Sequence, residues 1–335
     1  MVSEAEAIHS QVRASRPRRH QIHSCMSRNP KRAAPEGAAA KTIIWSSQSS
    51  APRRAWQHAP LAPVNARPPF GEYLNQLWDR RHFIQMHAYS QALHAHQGTL
   101  LGRAWLIVAP LLDGLVYFLI FGIAFNLNSA VPDFVPRLIV GILLFSYFSR
   151  ALTSTANSVN GGQGLIRAFS FPRASLPIAA MIREAYSAVP MLVALLVMIM
   201  ILPPHARPTS TWLLLPFPLA LISLFTAGLG FFLARVVSIV PDVSKLLSYA
   251  LRFAMYGSGV IFSIDRFSDH PTVAAVLENN PLYIFIEMAR ELLLYATVPA
   301  PGTWLSLLAW AVVPLVLGLV YFWGGEANYG KQRVA

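Results

Sequence analysis

Residues 304–323 run for twenty positions, from Trp304 to Trp323, without a single charged side chain. Twenty residues of α-helix span ~30 Å, the thickness of a bilayer's hydrocarbon core. Such a run belongs either in a membrane or deep inside a large globule. Five further stretches follow the same ruler. They are Trp105–Leu127, Phe134 to about Asn157, Leu176–Leu202, Trp212 to about Val237, and a weaker one at Leu246–Ile264 that holds Arg252. Composition decides between the two settings. Only 13% of the 335 residues are charged, 54% are hydrophobic and the mean hydropathy is +0.44. A soluble domain carries ~25% charged residues, so this chain has too little polar surface to wet a globule. The expected fold is an all-α membrane protein with six transmembrane helices.

Lys and Arg in the short connections set the orientation, because cytoplasmic loops carry the positive excess. Arg80, Arg81, Arg103, Arg167, Arg173, Arg235, Lys245, Lys331 and Arg333 fall on one side. The other side, Asn128–Asp133, Pro203–Thr211 and Asp265–Thr303, holds Arg207, Arg266 and Arg290 among six acids. Both termini are therefore expected in the cytoplasm, and the protein in the cytoplasmic (inner) membrane as a multi-pass chain.

Three domains are expected: a disordered basic tail at 1–68, an amphipathic interface helix within 69–100, and a transmembrane domain at 101–335. The tail carries 11 of the 27 basic residues and 3 of the 15 acidic ones. It has no aromatic interleaving and no nucleic-acid motif, so its charge reads as a solvated extension near anionic lipid, not a nucleic-acid partner. It lacks the apolar core of a secretory signal peptide. The one cysteine, Cys25, forms no intramolecular disulfide.

Three segments outside the spans carry information. Tyr73–His96 places Tyr73, Leu74, Leu77, Trp78 and Ile84 broadly at helical spacing, as a helix lying in the membrane interface does. Residues 161–177, between spans two and three, allow a short helix from Leu165 to Phe171 bounded by Gly164 and Pro172. An apolar and basic helix at the cytoplasmic face suits a docking partner. Pro281–Tyr295 is apolar but holds Glu287, Arg290 and Glu291. Too short and too charged to cross, it reads as a re-entrant outer helix between spans five and six.

Catalytic signatures are missing. Gly325–Gln332 has the glycine and lysine spacing of a phosphate-binding loop but Gln332 where a Ser or Thr must hold magnesium. Any ATPase is therefore expected in a separate chain, with its ATP and magnesium. No metal-ligand set is expected, since His82, His87, His94 and His96 lack acidic companions. Charges inside the spans are costly and should face protein or water. They are Asp113, Arg150, Arg183, Glu184 and Arg252. An Asp113–Arg pair or snorkelling arginines would account for them structurally. Tyr117, Phe118, Phe121, Phe125, Tyr147 and Phe148 are packing residues by default. In a sugar exporter they are candidates to line the path, because sugar rings stack on aromatic faces.

Several short motifs then fall into order. Leu101-Gly102 precedes Trp105, with Pro110 and Phe121-Gly122 beyond. Gly164-Leu165-Ile166-Arg167 leads to Phe171-Pro172-Arg173 and Leu176-Pro177. Asn280-Pro281-Leu282 is followed by Ile286-Glu287. Around six spans this combination resembles the ABC-2 type permeases that export O-antigen, capsular polysaccharide and teichoic acid. The resemblance implies a homodimer paired with a nucleotide-binding ATPase. It implies that Gly164, Leu165, Ile166, Arg167, Phe171, Pro172 and Arg173, with Asp242, couple to that ATPase. Asn280, Pro281, Glu287 and Arg290 would belong to an outer gate, and a lipid-linked glycopolymer would pass between protomers. Three positions depart from the family pattern: His94 and His96 stand where basic residues are usual, Pro241-Asp242 where an Arg-Asp pair is usual, and Asp113 at a usually uncharged site. Two other readings are an ABC-2 permease for a drug or small lipid, and a membrane-embedded glycosyl- or acyltransferase. The latter needs a convergent cluster of Asp, Glu or His at one membrane face.

Overall fold

The computed structural model describes residues 68–94, 104–124, 133–201, 206–260 and 271–329. All of them belong to a compact unit that begins at Leu61; the N-terminal tail lies outside the described residues. The described chain is helical: α1 Phe70–Asp79, α2 Arg81–His94, α3 Trp105–Tyr117, α4 Phe134–Gly161, α5 Gln163–Ala168, α6 Ser175–Ile201, α7 Pro216–Ile239, α8 Val243–Tyr256, α9 Pro271–Glu278, α10 Pro281–Leu293 and α11 Pro301–Trp323. A π-helical stretch, Phe118–Ala124, prolongs α3, and a 3-10 turn, Ser210–Leu214, leads into α7.

Among the described residues, four helices are long and apolar enough to cross a membrane: α4, α6, α7 with its leading turn, and α11. The central one is α4, which packs against α6, α7, α8 and α10. Val135, Leu138, Ile139, Leu144, Tyr147 and Ala151 are among its side chains with at most 1% exposure. By contrast α11 leaves Leu305, Val313, Val316 and Leu317 more than half exposed. A helix apolar all round yet packed on one side is built for a surrounding of hydrocarbon.

Glycine sets the contact between α7 and α11. A Cβ at Gly228 would run into the main chain of Pro314 and Leu315, and one at Gly318 into the main chain of Gly228. Backbones can approach this closely only where side chains are absent. Gly228→Leu is expected to force the two helices apart and cost ~3 kcal/mol or more. Its signature is early thermal unfolding of the purified protein, and unchanged unfolding would show that α11 can shift freely.

Two expected elements end differently. The first span is helical from Trp105 but changes from α to π geometry after Tyr117. Phe125 and the rest of that span lie outside the described residues. The fifth span does not run from Leu246 to Ile264. Its helix, α8, covers 14 residues and stops at Tyr256, which makes it ~21 Å long. The reason is local. Gly257 caps α8, and Gly259 takes φ 63°, a left-handed conformation that L side chains avoid. Residues 261–270 lie outside the described part.

Candidate functional site

The short segment between α4 and α6 is held from three directions. Its helix, α5, covers Gln163–Ala168, and Phe169 is already extended at φ −137°, ψ 144°. The helix therefore ends at Ala168, three residues before Phe171, where the sequence had placed its limit, and Pro172 keeps Phe171 itself out of helical backbone. Ile166 is 7% exposed, and Leu165 and Phe171 pack against the cluster formed by Tyr73, Leu176, Phe231 and Phe322. Gly164 and Arg167 are exposed, and Pro172 is buried. The apolar side chain that points outward is Phe169, 66% exposed. Sequence reading chose Phe171 over Phe169 because pattern alone does not tell which ring the core absorbs.

A buried carboxylate fixes the far end of the segment. Tyr73 donates its hydroxyl to Glu326 Oε2 at 2.8 Å, and the Arg173 amide donates to Glu326 Oε1 at 2.9 Å. The Arg173 guanidinium donates to the Glu326 carbonyl, and the Ala174 amide donates to the Tyr73 hydroxyl at 3.0 Å. Thus α1, the start of α6 and the turn after α11 share one clasp. Burial pushes the Glu326 carboxyl above its ordinary value, against the lowering effect of the Arg173 amide, the Tyr73 hydroxyl and the Arg173 charge. The same turn is anchored by Tyr329, whose hydroxyl donates to the Phe322 carbonyl at 2.7 Å. Glu326 was not singled out in sequence, where 325–332 read only as a chance glycine-lysine spacing.

Beside α5 lies a cavity of about 410 Å³ lined by Asn160, Gln163, Arg167, Arg235, Pro241 and Asn328, among others. Arg235 lies 4.2 Å over the Tyr321 ring and donates to the Tyr321 carbonyl. Asp242 stands at the head of α8, exposed, 3.1 Å from Lys245. That pair contributes little on its own.

The residues expected on the interface helix form two helices, α1 and α2, separated at Arg80. One stripe stays continuous: Tyr73, Leu77, Ile84 and Ala88 are buried, while Leu74 and Trp78 are exposed. His94-side expectations reach residues 95–103, which lie outside the described part.

At the opposite end of the helices a second polar centre forms around Arg290, 2% exposed. Its guanidinium donates to the carbonyls of Arg137 at 3.1 and 3.2 Å, Gly259 at 3.1 Å and Val260 at 3.2 Å. It also donates to Glu287 Oε2 at 3.0 Å. Arg137, which sequence reading left unremarked inside span two, lies 3.5 Å from Glu287 Oε1 and 3.3 Å from the Tyr295 hydroxyl. Asn280 caps α10 by accepting from the Leu282 amide at 3.0 Å and donates to the Gly257 carbonyl at 3.0 Å, with Pro281 at the first helical position. These side chains satisfy the carbonyls set free where α8 stops. The Gly257–Val260 turn and the Asn280–Arg290 pair are one construction.

The remaining intramembrane charges separate. Arg183 pairs with Glu184 at 3.0 Å and donates to Gln91 at 3.1 Å and to Ser154, tying α2 and α4 to α6. Asp113 is exposed on α3 and makes no ion pair among the described residues. The expected Asp113–Arg pair is therefore not formed within them. Arg150 donates to the Met191 sulfur at 3.4 Å. Of the aromatic candidates, Tyr147 and Phe148 are 1% and 3% exposed. Tyr147 bonds Ser223 at 2.6 Å and Phe148 stacks on Phe225, so both pack α4 against α7. Tyr117 and Phe118 are half-buried, and the Phe121 and Phe125 side chains lie outside the described part. The described residues include no group of three His, Cys, Asp or Glu able to hold a metal.

Residues 90–294, well over half the chain, match the family described as ABC-2 type transporter. The chain belongs to the ABC-2 type transporter family. The matched region holds α5, Asp242 and the Arg290 centre; Tyr73 and Glu326 fall outside it. Curated relatives share the same character. An O-antigen export system permease protein, RfbA, of Myxococcus xanthus is 25% identical over 240 residues, 71% of this chain and 87% of the relative. One of the same name from Klebsiella pneumoniae is 22% identical over 202 residues, 59% of this chain and 74% of the relative. The polysialic acid transport protein KpsM of Escherichia coli is 25% identical over 228 residues, 66% and 85% respectively. Arg167 on α5 and Phe169 just beyond its end are exposed on this braced segment.

Proposed function

We propose that this protein is the permease of an ATP-driven exporter that moves a lipid-linked polysaccharide across the cytoplasmic membrane. The observation that carries this reading is the family match over residues 90–294, joined to relatives named for O-antigen export and polysialic acid transport. In this reading the chain crosses six times, through α3 with its π-helical extension, α4, α6, α7, α8 with the turn beyond it, and α11. Both termini are cytoplasmic, following the Lys and Arg asymmetry. The α1–α2 pair lies in the inner interface, and α10 is a re-entrant helix at the outer side. Two copies pair and enclose the path. A separate nucleotide-binding ATPase supplies the energy from ATP and magnesium.

The division of labour follows from chemistry. This chain makes and breaks no bond. The ATPase closes on nucleotide, α5 receives the displacement, and the rigid joint of α5 to α4 and α6 passes it into the bundle. Arg167 supplies charge complementarity at the contact and Phe169 an apolar anchor of the kind that dominates protein interfaces. The Tyr73–Glu326–Arg173 clasp keeps α5 from yielding under load. A teichoic-acid-like cargo fits the same reading, and a drug or small lipid is the second cargo class.

Arg167→Glu combined with Phe169→Ala is expected to abolish export and ATPase association while the protein inserts and folds as before. The checks are co-purification with a candidate nucleotide-binding ATPase, and surface polysaccharide in cells. Undiminished export by the double variant would remove α5 from the coupling role.

A further inference from the structure

The start of α6 and stretches of α7 and α11 leave a groove of about 580 Å³, bordered by α1 and the first turn of α2. Its walls are apolar. Ile178 and Met181 come from α6, Ala227 and Phe231 from α7, and Leu315 and Leu319 from α11. Each pair is three or four residues apart, so each helix turns one face to the groove. Ser223, the hydroxyl in the lining, is already committed. It donates to the Leu219 carbonyl at 2.6 Å and meets the Tyr147 hydroxyl at 2.6 Å. Walls of this kind offer water little to bond, and hydrocarbon fills them better.

Charge stands at one end. Phe231 shares a buried cluster with Tyr73, Leu77 and Ile84, so the Phe231 end lies beside α1 and α2. There the half-buried Arg81 lies 5.0 Å from the Trp78 ring centre and gives one N–H to the Trp78 carbonyl at 3.0 Å. The guanidinium has further donors, and no ion pair among the described residues includes it. Trp78 is exposed, and a tryptophan beside an arginine suits the headgroup level of a membrane. From Phe231 to Ser223 the groove follows α7 for eight residues, which is ~12 Å of helix. One leaflet of a ~30 Å hydrocarbon core is ~15 Å deep. The groove has the length of one leaflet's chain region and a cation where the headgroups begin.

We infer that this groove holds one acyl chain of an anionic phospholipid of the cytoplasmic leaflet, with its phosphate on Arg81. The inference rests on the inner-interface placement of α1 and α2, and not on the identity of the cargo. Phosphate oxygens match the planar guanidinium fork. Asp79 offsets one charge of the Arg80–Arg81 pair, leaving a single net cation. One cation suits a singly charged phosphodiester, whereas a diphosphate would keep unmatched charge. The bound chain becomes part of the wall beside α1, whose Tyr73 belongs to the Glu326 clasp.

The test uses the full chain purified in detergent and stripped of lipid. Phosphatidylglycerol, phosphatidylcholine and farnesyl diphosphate are the probes, and native mass spectrometry counts the molecules bound. One saturable phosphatidylglycerol per chain is expected, held about fivefold more tightly than phosphatidylcholine, the effect of one arginine near a charged surface. Arg81→Gln should erase that preference, and Arg207→Gln should leave it intact. Ala227→Phe, which fills the groove, should weaken binding of both phospholipids by roughly tenfold or more. Arg81→Gln lies at the surface and keeps the test decisive should Ala227→Phe fail to fold. Equal retention of the two phospholipids by the wild type would overturn the inference, as would binding indifferent to both groove substitutions. Farnesyl diphosphate displacing phosphatidylglycerol at equal concentration would assign the groove to a prenyl lipid and overturn it too. Placement is measured separately, by an impermeant thiol reagent on a Gln85→Cys, Cys25→Ser chain in sealed vesicles. Labelling only from the outer side defeats the placement and the leaflet assigned here. Labelling from the inner side with no retained phospholipid defeats the groove alone.

Discussion

Arg290→Ala is expected to destabilise the protein by about 3–5 kcal/mol, the usual cost of removing one member of a buried, hydrogen-bonded charge group. The loss concerns the groups left behind. Three carbonyls, those of Arg137, Gly259 and Val260, lose their donor, and Glu287 keeps only Arg137 as a cationic neighbour. These carbonyls belong to the first turn of α4 and the turn after α8, so the variant loosens two elements at once. Arg290→Lys should recover less than half of the loss, because a single ammonium cannot reproduce the planar fork that reaches three main-chain oxygens. Glu287→Gln should cost only about 1 kcal/mol, as the carbonyl bonds persist. Unfolding of the purified variants in detergent, by heat or by denaturing surfactant, measures all three. An Arg290→Ala protein within 1 kcal/mol of the wild type would mean that water takes over the carbonyls.

Glu326→Ala is expected to cost about 2–4 kcal/mol, since it strips the acceptor from the buried Tyr73 hydroxyl and the Arg173 amide. It should also uncouple the ATPase, because α5 loses the brace at its far end. Tyr73→Phe should cost about 1–2 kcal/mol by orphaning the Ala174 amide. The carboxyl adds a pH signature. Its folded value is raised above the ordinary 4.5 by burial. A raised value means that the folded state holds the proton more tightly. The stabilising increment is therefore complete below about pH 4.5 and is lost as pH rises through the folded value. Glu326→Gln removes this slope, and the difference between wild-type and Gln unfolding curves across that window isolates it. Identical pH dependence in the two proteins would mean that the carboxyl titrates alike folded and unfolded.

Much of the architecture was legible before any coordinates. Apolar runs of twenty or more residues located α4, α6, α7 and α11 within a few positions, because hydrocarbon demands length and the absence of charge. The helix opened by Asn280-Pro281 was legible because proline punctuates backbone, and so was a short helix between α4 and α6, although it starts at Gln163 with Gly164 inside it and ends at Ala168, not from Leu165 to Phe171 as expected. Less legible was where α8 ends. Hydropathy continues past Tyr256, so composition reads onward to Ile264, whereas the break depends on Gly259 and on donors brought from α10. Whether a ring packs or projects was equally hidden. Phe169 and Phe171 are two positions apart in an apolar segment, and only their neighbours from α1, α7 and α11 distinguish them.

Sequence alone determined that this chain is a bundle of membrane-length helices with a basic side, because burying apolar runs and excluding charges are properties of each segment by itself. Tertiary structure alone decided the polar joints: Arg290 donating to the carbonyls of Arg137, Gly259 and Val260, and Glu326 joining Tyr73 to Arg173. The Glu326 joint links residues 253 positions apart. A lone donor or acceptor carries no mark of its partner in sequence, and a buried one is satisfied by whichever group the packing of helices brings within reach.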